Sequence, residues 1–171
     1  TLHNGVDPAT RARIGAESGD PAAFASFDDV VAAFGRQLRH FFDIKIHGNR
    51  IIERLYATAM PAPFLSLVID DCIEKGRDYN AGGARYNTTY IMPVGIGTVT
   101  DALSAIRHHV FGKRDVTMPG LLDALAHDFA GQEVLRQRLW NKTPRYGNDD
   151  PAADGLLQRV FDTVHQIVDG R

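Results

Sequence analysis

Three stretches of this sequence hold residue types that could do chemistry. Gly95-Ile-Gly97-Thr-Val-Thr100 follows an apolar run and leads into a helical pattern, as a phosphate-cradling turn would. It lacks a third glycine, Pro93 interrupts the run before it, and no strand–helix–strand return follows, so a tight turn at Gly95 and Gly97 is the plainer reading. Cys72 is the one cysteine, set in Asp70-Asp71-Cys72-Ile73-Glu74. A nucleophilic thiolate is favoured by nearby positive charge, and this string supplies carboxylates, so a small buried apolar residue is the plainer role. Asp70 and Asp71 are adjacent, and on a helix neighbours point about 100° apart, so they do not converge on a metal. His108 and His109 fail the same way, and no His-x-x-x-His spacing exists among the seven histidines; no metal site is expected. The third stretch, Ala81-Gly82-Gly83-Ala84-Arg85-Tyr86-Asn87, resists a plain explanation. Gly82 and Gly83 permit a close backbone approach or a left-handed turn. They deliver a guanidinium fork, a phenol and a carboxamide in succession. Those three side chains either form a polar network that fixes the local backbone or contribute to a substrate cavity.

The elements that must carry these residues are mostly helical. Gly5–Pro21 is rich in turn formers and reads as a surface loop. Ser26, with Asp29 three residues on, opens a helix whose apolar stripe runs from Phe27 through Val30, Phe34 and Phe41 to Leu55 and Tyr56. If unbroken to about Thr58 it is roughly 50 Å long, with Gly48 a natural place to bend. Met60–Pro63 ends it, and Asp70–Lys75 forms a short helix closed by Gly76. Tyr86–Val94, rich in Tyr, Thr and Ile, is the best strand, with Arg85 and Asn87 on one face and Tyr86 on the other. Thr98 or Thr100 caps the next helix, which stops at Gly112. Thr117 opens a helix through Phe129 to Gly131, Gln132–Asn141 forms a short one, and Asp150-Pro151 starts the last. The fold class is mainly α with one or two short strands.

Bulk properties narrow the function. With 19 Lys and Arg against 21 Asp and Glu, the net charge of -2 gives no basic field for a nucleic acid partner. A hydrophobic share of 44% fits a globular chain, and no apolar run approaches the ~20 residues that cross a bilayer, so no membrane partner is expected. One cysteine permits no internal disulfide and fits a reducing cytoplasm. The length of 171 residues suits one domain. Thr1 and Arg171 do not look like natural termini, which suggests a piece of a longer protein.

Read in order, Pro61–Ser66, Val68–Gly76, Asp78–Asn87, Val94–Ile106 and Asn141–Asp150 resemble consecutive landmarks of the glycyl radical enzymes, the pyruvate formate-lyase-like superfamily. The wording is most similar to the lyase and dehydratase branch that includes trans-4-hydroxy-L-proline dehydratase and isethionate sulfite-lyase. The resemblance spans nearly the whole chain. It implies a slice of a ten-stranded α/β barrel wrapped in helices, from an enzyme that is usually a homodimer. It also implies a small-molecule substrate, a protein glycyl radical, and a radical-SAM activating enzyme with an iron–sulfur cluster that installs it. In the family the glycyl radical oxidises a cysteine to a thiyl, which abstracts hydrogen from the substrate before water, sulfite or another group leaves.

Two family strings are missing. No Gly-Cys-hydrophobic-Glu loop is present, and Cys72 does not match it; no Arg-Val-x-Gly-Tyr loop is present either. The expectation is therefore a partial domain over 1–171 that carries no catalytic residue, binds no cofactor of its own and is inactive alone. Arg85, Tyr86 and Asn87 are the candidates for a substrate cavity or its support. Two alternatives stay open: a formate C-acetyltransferase of the pyruvate formate-lyase type, and a non-enzymatic helical interaction domain.

Overall fold

The computed structural model describes residues 1–171 and is mainly helical, with no β-strand. Where the length alone suggests one body, the chain divides into two compact units, residues 1–41 with 93–171, and residues 42–92. Helix α1 (Phe27–Ala59) starts at a reciprocal cap: the Asp29 N–H donates to Ser26 Oγ at 3.3 Å, and the Ser26 N–H donates to the Asp29 carboxylate at 2.8 Å. Those bonds from Ser26 hold the Asp29 carboxyl below its usual range. The helix continues through Gly35 and Gly48 without interruption. Helices α2 (Pro63–Ser66) and α3 (Cys72–Lys75) are single turns. They are followed by α4 (Ile96–Ala105), a wider π-wound stretch over Ile106–Gly112, α5 (Met118–Ala126), α6 (Glu133–Lys142) and α7 (Pro151–Val168).

The first unit is an apolar core with a polar strap. Val30 of α1 is fully buried among Leu103, Ile106, Met118, Leu121, Leu156 and Val160. Asp150 caps α7 by accepting the N–H groups of Ala152 and Ala153, with Pro151 in the first turn, and Thr117 caps α5 through Gly120. The N-terminal loop is held on α1 by side chains the apolar pattern does not reveal. Buried Gln37 donates to Ala16 O at 2.5 Å and Ser18 Oγ at 2.9 Å, and Arg36 donates to Ser18 O at 2.8 Å. In the π-wound stretch, His109 is buried with Nδ1 3.0 Å from Asp115 Oδ1.

Four sequence expectations are corrected here. Tyr86–Val94 is not a strand; the only β pairing is an isolated bridge between Val6 and Arg13. Residues 86–94 have the composition of a strand, but no other strand lies beside them to complete a ladder. The cap of α4 is Gly95, with φ +87°, and not Thr98 or Thr100. Thr100 is buried in the helix with its hydroxyl on Ile96 O, and Gly97 is a helical residue and no part of the turn. Helix α5 ends at Ala126 because Asp128 and Phe129 take left-handed backbone conformations. The helix expected from Asp70 begins only at Cys72, since Asp71 has φ +76°.

Leu156, 2% exposed in the core of the first unit, tests that core against its surface. Leu156→Ala should cost about 2–5 kcal/mol of unfolding free energy. Val134→Ala, at a position 77% exposed on α6, should change it by less than about 0.5 kcal/mol in the same urea titration.

Candidate functional site

The second unit is built mainly by polar ties, and they converge on the residues singled out from the sequence. Asp78 organises one side. Its carboxylate accepts the Ala62 N–H at 2.8 Å and the Asn80 N–H at 2.9 Å, and the Ser66 hydroxyl lies 2.9 Å away. Burial pushes this carboxyl up, but the bonds from Ser66, Asn80 and Ala62 outweigh it and hold the group below its usual range. Asn80 Nδ2 donates to Met60 O at 2.8 Å, which ties the loop to the end of α1.

The paired glycines follow at once. Gly82 has φ +83°, the left-handed conformation that favours glycine. At Gly83 the constraint is space: a Cβ would sit 2.1 Å from Arg77 O. Both glycines therefore serve the tight turn the sequence suggests. Asn87 lies over them, its Nδ2 3.1 Å from where a Gly82 Cβ would be.

Arg85 is fixed by α3. Its Nη2 and Nε donate to Asp71 Oδ1 at 2.6 and 3.1 Å, and Nη1 lies 3.8 Å from Asp70 Oδ2. The side chain of Asp71 is 16% exposed and that of Arg85 55%. The guanidinium bonded to Asp71 holds its carboxyl below the usual range, and Asp71 in turn raises Arg85. Lys75 Nζ stands 3.4 Å from the other Asp71 oxygen and donates to Ala84 O at 3.3 Å.

Two hollows flank this backbone. One, of about 410 Å³, is lined by Ile52, Glu53 and Tyr56 of α1 with Tyr79, Asn80 and residues 87–90, and the Thr89 hydroxyl donates to Glu53 Oε1. The other, of about 420 Å³, is lined by Val68–Asp70, Tyr79, Ala84, Arg85 and Tyr86. Arg85 and Tyr86 thus share one hollow and Asn87 faces the other; the Tyr86 residue is 86% exposed. Gly95 and Gly97 belong to the first unit. Sequence reasoning missed Asp71 and Asp78. Asp78 carried a signal, since an Asp two residues before a loop N–H makes a local turn; Asp71, fourteen residues from its partner, carried none. No three His, Cys, Asp or Glu side chains converge as metal ligands.

Comparison with known proteins places this geometry. A family model described as pyruvate formate lyase-like matches residues 1–171. Trans-4-hydroxy-L-proline dehydratase of Clostridioides difficile is 50% identical over 171 residues, which is 100% of this chain and 22% of that protein. The crystal structure of that organism's hydroxyproline dehydratase with trans-4-hydroxy-L-proline bound matches with TM-score 0.95 at 50% identity, over 99% of this chain and 22% of that one. A glycyl radical enzyme from Archaeoglobus fulgidus matches with TM-score 0.87 at 34% identity, over 99% of this chain and 21% of its own. Isethionate sulfite-lyase of Oleidesulfovibrio alaskensis is 31% identical over 149 residues, 86% of this chain and 18% of that protein. The chain spans about a fifth of the length of these relatives. No helix is long and apolar enough to cross a membrane.

Three outcomes follow for the second unit. Gly83→Ala should destabilise it by about 1–3 kcal/mol, because backbone must move to admit the methyl. Gly48→Ala, in the helix with open space around it, should stabilise it by about 0.5–1 kcal/mol; hydrogen exchange of α1 and α3 amides reads both. The Asp71 carboxyl is depressed in the folded chain, so its ion pair stabilises fully above the unfolded value near 3.8 and is lost as pH falls through the lower folded value. An Asp71 carboxyl carbon shift that titrates at or above 3.8 would contradict this.

Proposed function

The chain belongs to the pyruvate formate lyase-like family, and from that premise we propose that it forms part of the barrel wall of a glycyl radical dehydratase or lyase. The observation that carries the proposal is 50% identity along the entire chain to a dehydratase, with the backbone superposing at TM-score 0.95. A match of that length, and not merely a long amphipathic helix, favours an enzyme over a helical interaction domain. Identity falls to 31% at isethionate sulfite-lyase, which makes elimination of water the favoured reaction and trans-4-hydroxy-L-proline the first substrate to test.

In this proposal residues 86–94 gain a ladder from strands elsewhere in the enzyme. Tyr86, Tyr90 and Met92, at 86%, 82% and 79% exposure, are free to be covered by them. Arg85, Tyr86 and Asn87 support the substrate cavity. The reaction requires a radical shielded from water, formed by a partner radical-SAM activase and passed through a cysteine thiyl.

The residues of this chain do not fit the radical carriers. Gly131 and Gly170 lie in no Arg-Val-x-Gly-Tyr string of the kind that carries the family's radical. Cys72 is buried at the start of α3 and, although Ile73 and Glu74 follow it, Asp71 stands where the family's Gly-Cys-hydrophobic-Glu string has glycine. The contribution of this chain is therefore shape: it excludes water and holds the wall, as part of an enzyme expected to be dimeric and to work in a reducing cytoplasm.

Two measurements test this. The gene around the segment should encode a Gly-Cys-x-Glu loop before it and an Arg-Val-x-Gly loop after it, and the full-length product should show an organic radical by electron paramagnetic resonance after anaerobic activation. It should then dehydrate a small hydroxylated substrate. The 171-residue chain alone should show neither radical nor turnover. A radical localised to Gly131 or Gly170, or a gene without the two loops, would overturn the proposal.

A further inference from the structure

Arg85 is a fork suited to a substrate carboxylate, yet its fork is already engaged. Nε and Nη2 both point to one oxygen of Asp71, and Nη1 faces Asp70. The residue that engages it has an unusual backbone. Asp71 has φ +76°, a region that residues with a Cβ rarely adopt, and Asp and Asn tolerate it better than most. Its carboxylate is mostly buried although Arg85 is half exposed.

Three further ties meet at the same place. The Arg85 N–H donates to Asp70 O at 3.2 Å. Lys75 bridges Asp71 and Ala84 O. Ala84 itself is buried, directly after the glycine where a Cβ would collide with Arg77 O. The left-handed turn at Asp71 turns its carboxylate onto Arg85, and these bonds join Asp70, Asp71 and Lys75 to residues 84 and 85. The next tie along the chain is the Thr89 hydroxyl on Glu53, so residues 86–88 run between these two anchors and their starting direction is set at Arg85.

We propose that Asp71 is a positioning residue which, through Arg85, fixes the path of residues 86–90 along the two hollows. This rests on the reading of Arg85, Tyr86 and Asn87 as support for a substrate cavity, and it gives Arg85 a different task from binding substrate. Arg85 holds the wall in place, and Tyr86, Asn87 and the residues after them present it.

The backbone demand at Asp71 makes a clean experiment possible. Asp71→Asn keeps a residue that tolerates the left-handed conformation and removes the charge, Asp71→Gly relieves the conformation and removes the side chain, and Arg85→Lys keeps the charge and removes the fork. In the 171-residue chain, each should shift the amide resonances of residues 85–90. Each should also speed exchange of the Arg85 amide about tenfold or more, with α4 and α7 amides unchanged, and Asp71→Asn with Arg85→Lys together should do no more than either alone. Shifts confined to residues 70–75, or effects that add, would overturn the proposal.

In the activated full-length enzyme, Asp71→Asn should lower kcat/KM about tenfold or more while the radical content per subunit stays at the unmodified level. Restoration toward the unmodified value by Asp71→Glu, which can still reach the fork, would support positioning. Moved amides with unchanged kcat/KM would overturn it. An unmodified enzyme that forms no radical would sink the functional reading instead, and the exchange measurements on this chain would still decide whether Asp71 sets the path.

Discussion

A 33-residue helix in water is not held by its own hydrogen bonds; it needs one face removed from solvent. In α1 that condition is met in two ways. The first half buries Val30 completely, with Ala33 beside it in the sequence's next turn also fully buried, under the core of the first unit. The second half, within the other unit, keeps Ile51, Ile52 and Leu55 about half exposed. One helix therefore has a strongly stabilised half and a half whose apolar stripe is only partly used.

The two units follow different physics. The first is an apolar core in which α4, α5 and α7 contribute large aliphatic side chains, with Gln37 and Arg36 pinning a polar loop to its edge. The second contains few fully buried apolar residues and is shaped by charged hydrogen bonds at Asp71 and Asp78. Charge-assisted bonds are directional where apolar contacts are not. They suit a backbone that must follow one path, and they leave the apolar side chains of residues 86–92 free for other surfaces.

That division suits the wall role proposed above: shielding a radical requires a cavity with fixed shape and no loose water, and neither property demands that every wall segment carry a reactive group. The segment described here has turns that cannot relax, because Gly83 leaves no room for a side chain and Asp71 holds a conformation most residues avoid. Rigid geometry at these points gives the side chains that follow a reproducible direction. In the proposed role Arg85 holds the backbone without meeting substrate.

Features that depend on neighbours within about four residues were legible in the sequence. The Ser26–Asp29 cap, the Thr117 cap and the Asp150-Pro151 start of α7 are all local, so residue type and spacing sufficed. The family was legible too, because five ordered motifs survive whatever the fold does with them. What only the tertiary structure decided depends on distant partners. Residues 86–94 have strand composition, but a strand exists only where another supplies its hydrogen bonds. Asp71 meets Arg85 across fourteen residues, and Gln37 meets Ala16 across twenty-one. Their types announce polarity and nothing about the partner, because it is the folded path of the backbone that brings a donor and an acceptor to the same point.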